Sequence, residues 1–275
     1  MPVKDSLTTA RVLAVFSEEV GVRRGKVTDT FDDGKRLFAR AVLHHLADVA
    51  PGDQLRGGVA IKATQDGVWL YPYTFRLVCG NGAIVAQTLE ERPIAEPYLR
   101  APEAVLQAVR AAVEACCNEE IFSSAVGAMR TARDLRATDM LLNVLPMLSH
   151  LSDGVQSYML SRFFARTAPE GRATHPILSG PPSFSQPSPG HTRSPLHNGD
   201  LLSGVIDQFQ KEGDQSQFGL ANAITAVARD VQDPGLKWDL EKLGGAVALG
   251  TLHHTTDECE VAATLAVDEE LVRTA

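Results

Sequence analysis

A chain of 275 residues that is 44% hydrophobic and 22% charged has the profile of an ordinary globular protein and can bury a core without disulfides or metals. Its net charge of -8 argues against a general nucleic-acid coat, because affinity for phosphate rests on clustered Lys and Arg. The charge is uneven: residues 1–100 hold 13 Lys/Arg against 12 Asp/Glu and residues 101–275 hold 13 against 22, so an anionic partner is expected to meet the first hundred residues.

The four cysteines, Cys79, Cys116, Cys117 and Cys259, include no C-x-x-C pair, which suits a reducing compartment. No basic stretch leads into an apolar run near Met1, and nowhere do eighteen apolar residues follow one another. A cytoplasmic protein with no membrane contact is expected.

Along the chain, Arg11 to Ser17 and Val22 to Phe31 are short runs rich in β-branched residues and predict strands. Phe38 to Leu46, Gln54 to Ala63 and Val68 to Val78 follow as strands, although Phe38 to His45 also admits a helix. Pro51-Gly52-Asp53, Asp66-Gly67 and Asn81-Gly82 punctuate them, and such pairs supply the positive φ angles of tight hairpins, so the stretch reads as an antiparallel meander.

After Pro102 the period becomes helical: Val105, Val109, Val113 and Cys116, then Ile121, Phe122, Ala125, Val126 and Met129. Pro102 and Glu103 suit a first turn. Helices are expected from Thr138 to Leu151, bent at Pro146, and from Ser152 to Arg166. Seven of the fifteen prolines lie between Pro169 and Asp200, which reads as a linker or insertion. Helical period returns at Leu201 to Lys211, Ser216 to Val231 and Leu236 to Leu249.

The pattern predicts an α+β protein with an antiparallel β meander in its N-terminal part, followed and packed by a helical C-terminal part. Its regions are a β-rich 1–100, a helical 101–167, a proline-rich 168–199, a helical 200–252 and an acidic tail at 253–275.

Nucleotide cradles are absent or broken. Gly80-Asn81-Gly82 lacks the third glycine of a dinucleotide loop, Val85 standing in its place, and reads better as a hairpin. Gly21 to Lys26 is one residue short of a phosphate loop and is followed by Val27 rather than a hydroxyl. The histidine doublets His44-His45 and His253-His254, the second near Asp257 and Cys259, lack partners at fixed zinc spacing, so no metal or other cofactor is expected. No G-x-S-x-G elbow occurs, and Cys116-Cys117 falls on an apolar helical face. No catalytic residue is assigned, and a non-enzymatic protein is the expectation.

Two stretches carry a resemblance. Phe75 to Gly82 (FRLVCGNG), following Gly58 to Gly67, and Asn222-Ala223-Ile224-Thr225, followed by Leu240-Glu241 and Gly244-Gly245, resemble the phage/plasmid-like family known as domain of unknown function 932. These landmarks fall within one domain of about residues 20–250. The resemblance brings no activity and implies a mobile-element setting, in which DNA handling is common. Of the residues that match, Cys79, Asn81, Gly82, Asn222, Thr225, Glu241 and Gly245 are read as structural. Arg76, in an apolar strand, must face solvent or meet a carboxylate, and a phosphate contact is the functional alternative. Asn222, Thr225 and Arg229 form a polar row that is ordinarily solvated, or whose Asn amide caps a strand end.

Two functions follow as expectations. One is a non-enzymatic accessory protein, homo-oligomeric or not, that binds single- or double-stranded DNA through Arg23, Arg24, Lys26, Lys35, Arg36, Arg40 and Arg76, with Phe31 and Phe38 available for stacking. The other is an interaction or inhibitory module that binds a host protein through its acidic helical part.

Overall fold

The computed structural model describes residues 7–78, 80–85, 101–138, 140–149, 151 and 201–252, with the backbone alone at 94–95. The elements are α1 (Thr9–Val22), β1 (Lys26–Asp32), β2 (Leu37–Ala50), β3 (Asp53–Ala63), β4 (Gly67–Arg76), β5 (Asn81–Ile84), β6 (Ile94–Ala95), α2 (Pro102–Cys116) and α3 (Glu119–Asp134). Then come a helix at residues 140–149 (α4), α5 (Leu201–Glu212), α6 (Gln217–Asp230) and α7 (Pro234–Leu249). The fold is α+β as expected. The expected helix from Ser152 to Arg166, the proline-rich segment, the acidic tail and Cys79 lie outside the described residues.

Strands β1 to β5 form a meander in sequence order, every neighbour antiparallel, and β6 pairs with the start of β4. Alternation along the strands sends their side chains to two faces. Leu37, Ala39, Ala41, Val59, Ile61, Ala63 and Val68 pack with Val12, Phe16, Val20, Val105, Val109 and Val113 of α1 and α2. Phe38, Ala60, Tyr71, Tyr73 and Ile84, on the other face, pack with Trp238 of α7. A third and larger cluster joins α3, α4, α5, α6 and α7, with Val49 and Leu55 reaching in from the β2–β3 hairpin.

The sequence reading needs correction at Arg11 to Ser17, which is part of α1 rather than a strand. The β-branched content of RVLAVFS suggested a strand, but the buried residues Val12, Val15, Phe16 and Val20 repeat at helical spacing. Thr8 supplies the N-cap, its hydroxyl accepting from the Arg11 N–H. Tertiary burial of that stripe outweighs the modest helix penalty of valine.

Asn81-Gly82 is likewise not a hairpin turn but the opening of β5, with Asn81 opposite Arg76. The positive φ sits one residue earlier, at Gly80 (φ 65). Elsewhere the turns fall where expected, at Gly52 between β2 and β3 and beside Asp66-Gly67 between β3 and β4.

Helix α6 is buried from Gln217 to Ala228 on every side and docks on β5 together with α7. The β5–α7 approach is so close that a Cβ on Gly245 would lie 1.9 Å from the Ile84 carbonyl oxygen. Backbone cannot retreat as a side-chain tip can, so Gly245→Ala is expected to destabilise the fold by about 3 kcal/mol. Urea denaturation of the variant checks this, and a midpoint equal to wild type would show that α7 shifts freely.

Candidate nucleic-acid interface

The basic residues expected to form one patch do not form one. Arg40 is 3% exposed, its Nε donating to Glu241 Oε2 at 2.6 Å and its Nη1 to Asp29 Oδ2 at 3.2 Å. It is therefore removed from any phosphate, and burying a guanidinium requires these carboxylates. Arg23 bonds Glu19 at 2.7 Å and approaches Glu114 at 3.8 Å. Arg36 pairs with Asp33 at 3.0 Å. Arg76 takes the second of the two options left open for it: its Nε and Nη2 meet Asp53 at 2.6 and 2.9 Å, with Arg133 at 3.6 Å from the same carboxylate. Arg24 and Lys26 are exposed before and at the start of β1, while exposed Lys35 lies past its other end.

Of the residues that carry the resemblance, Asn81, Gly82, Asn222, Thr225, Gly244 and Gly245 converge on the junction of β5 with α6 and α7. Asn81 is 2% exposed and its Nδ2 donates to Thr225 Oγ1 at 2.8 Å and to the Asn222 carbonyl at 3.3 Å. Thr225 Oγ1 in turn reaches the Ala221 and Asn222 carbonyls, each at 3.1 Å. Asn222 and Thr225 are thus buried rather than solvated, and the amide that bridges strand and helix belongs to Asn81. Only Arg229 of that expected polar row is exposed. Gly82 lies where a Cβ would meet the Tyr73 hydroxyl, and Gly244 where one would meet Thr225. A cavity of about 20 Å³ bordered by Thr74, Arg76, Asn81 and Thr225 has room for one water.

Glu241 belongs to a separate charge group beneath α7, buried at Glu241 and Arg40 and partly exposed at Asp29 and Lys237, whose Nζ lies 2.6 Å from Asp29. Burial pushes the Glu241 carboxyl up to about 7, against the pull of Arg40 and Lys237. Asp29 goes the other way: burial raises it, but the hydrogen bond and charge of Lys237 and the charge of Arg40 outweigh that and lower it. Arg40 thus has two acidic partners, Glu241 at 2.6 Å and Asp29 at 3.2 Å, whose carboxyls their surroundings push in opposite directions. Burial also raises the Tyr73 hydroxyl well above its ordinary range.

Cys116 and Cys117 at the end of α2 are half-buried, and burial pushes their thiols up to about 12 and about 11, away from the reactive thiolate. His44 and His45 stack on each other, ring centroids 4.3 Å apart, because a register shift between Val42 and Leu46 breaks the strand alternation. Among the described residues no group of three or more His, Cys, Asp or Glu is placed to hold a metal. No described helix is long and apolar enough to cross a membrane.

What the sequence reading missed is a row across the sheet. Phe31 of β1 faces Phe38 of β2, Phe38 faces Lys62 of β3, and Lys62 faces Trp69 of β4. Cations sit over its rings: Lys62 Nζ is 5.2 Å from the Trp69 centroid and 5.9 Å from that of Phe38, and Arg36 is 5.6 Å from Phe31. Next to the row, Lys242 of α7 stands 5.0 Å from the Tyr71 ring. Phe38, named for stacking, is 2% exposed beneath Trp238 and cannot serve. Phe31 is 36% exposed, and Trp69 and Lys62 are half-buried. The signal was present in the alternation of Trp69, Tyr71, Tyr73 and Phe75 along one strand, which puts four rings on one face.

Fold and site together define an α+β protein whose meander is clasped by helices and carries an aromatic and cationic strip on one face. Comparison of the chain with protein-family models, with curated proteins and with solved structures finds no match in any of the three. The resemblance described above rests on its motif residues alone.

Because the folded Glu241 pKa lies above its usual 4.5, its contribution to stability is complete below about pH 4.5 and is lost as pH rises through 7. The stability difference between wild type and Glu241→Gln is expected to move against wild type as pH rises through that window. Denaturation series at several pH values measure it, and a difference that stays flat would contradict the raised carboxyl.

Proposed function

We propose that this chain is a non-enzymatic nucleic-acid-binding accessory protein, working in the mobile-element setting that its motif resemblance implies. The observation that carries the reading is the set of cations held over aromatic rings on one sheet face: Arg36 on Phe31, Lys62 on Trp69, and Lys242 on Tyr71. Flat rings offer π-faces to bases, and ammonium and guanidinium groups beside them offer partners to phosphates. The cavity below Phe122 measures about 10 Å³ and the one beside Asn81 about 20 Å³, sizes that suit a water rather than a substrate.

This surface differs from the expected one. It keeps Lys35 and Arg36, adds Lys62 and Lys242, and leaves out Arg40 and Arg76, which carboxylates hold. Carboxylates also stand on the strip: Asp33 pairs with Arg36, and Asp239 interacts electrostatically with Lys62 and Lys242. Binding is therefore expected in the micromolar range and salt-sensitive, with a dependence on four cations that gives a log–log slope of at most about −3 for single strands. Fluorescence anisotropy of labelled oligonucleotides at low and physiological salt tests the reading, and Lys62→Glu is expected to weaken binding at least about ten-fold. No binding of any oligonucleotide at micromolar protein would dismiss it.

A second reading has one observation in its favour. The acidic helical part exposes Leu135 at 48%, directly after Asp134 at the end of α3, and Leu142 at 69% on α4. Contiguous apolar residues rimmed by charge mark protein-binding surfaces. If a host protein binds there, Leu142→Glu is expected to release a partner that wild type retains in a pull-down, and equal retention by both would remove this reading.

A further inference from the structure

We infer that the strip takes single-stranded rather than duplex nucleic acid, with one base on Phe31, another on Trp69, and phosphates of the intervening strand at Lys62 and Arg36. The inference rests on the nucleic-acid reading above and narrows it to a substrate class.

The register supplies the first part of the argument. Phe31 and Trp69 stand on strands three positions apart in the same cross-strand row. Neighbouring strands are about 4.8 Å apart, so the two rings are separated by roughly 14 Å. Successive bases in a duplex strand stack about 3.4 Å apart and hide their faces from a protein. Bases seated on both rings must therefore be unstacked from each other, which a single strand allows at little cost and a duplex does not.

Charge supplies the second part. A duplex offers chiefly phosphates, and holding one requires an uninterrupted cationic surface. Here Arg36 is paired with Asp33, and Asp239 acts electrostatically on Lys62 and Lys242, so two carboxylates stand against four cations and the net positive charge is modest. Stacking must then provide most of the affinity, and only unpaired bases can stack. The middle of the row is suited to this division of labour. Lys62 lies between Trp69 and the buried Phe38, within reach of both rings, so its ammonium can move from a ring face to a phosphate when a base arrives. Phe38 acts as the floor that keeps Lys62 and Phe31 in place, with Trp238 of α7 wedged behind it, their centroids 5.9 Å apart.

The test is a comparison, by anisotropy, of a labelled oligothymidylate, an oligouridylate and a blunt duplex of equal length, against wild type, Phe31→Ala, Trp69→Ala and Trp69→Phe. Circular dichroism on each variant confirms folding, and Trp69→Phe keeps a ring at the position should alanine loosen the sheet. The expected result is at least ten-fold tighter binding of either single strand than of the duplex. Each alanine variant is expected to lose about ten-fold of the single-strand affinity, with Trp69→Phe losing less. Duplex bound as tightly as single strand, or single-strand binding indifferent to Phe31 and Trp69, overturns this inference while leaving the broader nucleic-acid reading in place. If no oligonucleotide binds, both fall. A proline-rich peptide bound by wild type and released by Trp69→Ala, with no oligonucleotide retained, would assign the strip to a protein ligand and overturn both as well.

Discussion

The contact between Arg40 and Glu241 fixes where everything else can be. Arg40 points from the middle of β2 to the face opposite α1 and α2, where a guanidinium without counter-charges would be prohibitively expensive. Helix α7 brings Glu241 over it, Lys237 extends the same helix to Asp29 on β1, and Trp238 between them closes on Phe38 and Tyr71. A buried pair of this kind adds little net stability over an apolar equivalent, because desolvation offsets attraction. Its effect is positional: α7 has one place on the sheet where these charges are matched.

That placement divides the sheet face into two parts with different tasks. The part nearer β5 is filled by α6 and α7 and held by Asn81, Thr225 and the absent side chain of Gly245. The part nearer the β1–β2 hairpin keeps Phe31, Lys62 and Trp69 beside solvent. Asn81, Gly82, Asn222, Thr225 and Gly245, which carry the resemblance, lie in the first part and explain how the molecule is built, while Glu241 sits over Arg40. The strip on which the proposed function rests lies in the second, among residues with no motif value.

Much of the architecture was legible in the sequence for simple reasons. Pro51-Gly52 and Asp66-Gly67 mark turns that few other residues can make, and the strands between them alternate. Helices α2, α3, α5, α6 and α7 repeat their apolar residues at helical spacing. Three things resisted. The valines of α1 suggested a strand although their spacing was helical, a conflict that tertiary packing decides. Asn81-Gly82 looked like a turn because the same dipeptide serves both roles, and Gly80 beside it had the stronger need for positive φ. The basic cluster counted charges close in sequence, whereas Arg40, Glu241 and Asp29 meet across separations that no local pattern records. The strip was hidden for the same reason, since Lys62 and Trp69 belong to different strands and Lys242 to a helix.

The span of 201 residues between Arg40 and Glu241 also bears on how the chain is made. During synthesis at about 5–20 residues per second, the meander leaves the ribosome some tens of seconds before α7 does. Through that interval Arg40 on β2 has Asp29 of β1 beside it but lacks its partner on α7, and β5 shows the edge and face that α6 and α7 will cover. The half-made protein must keep Arg40 in water and hold its sheet open. Completion of α7 is then the event that lets the sheet settle, so a ribosome stalled before α7 would release a chain with a sticky, unfinished meander.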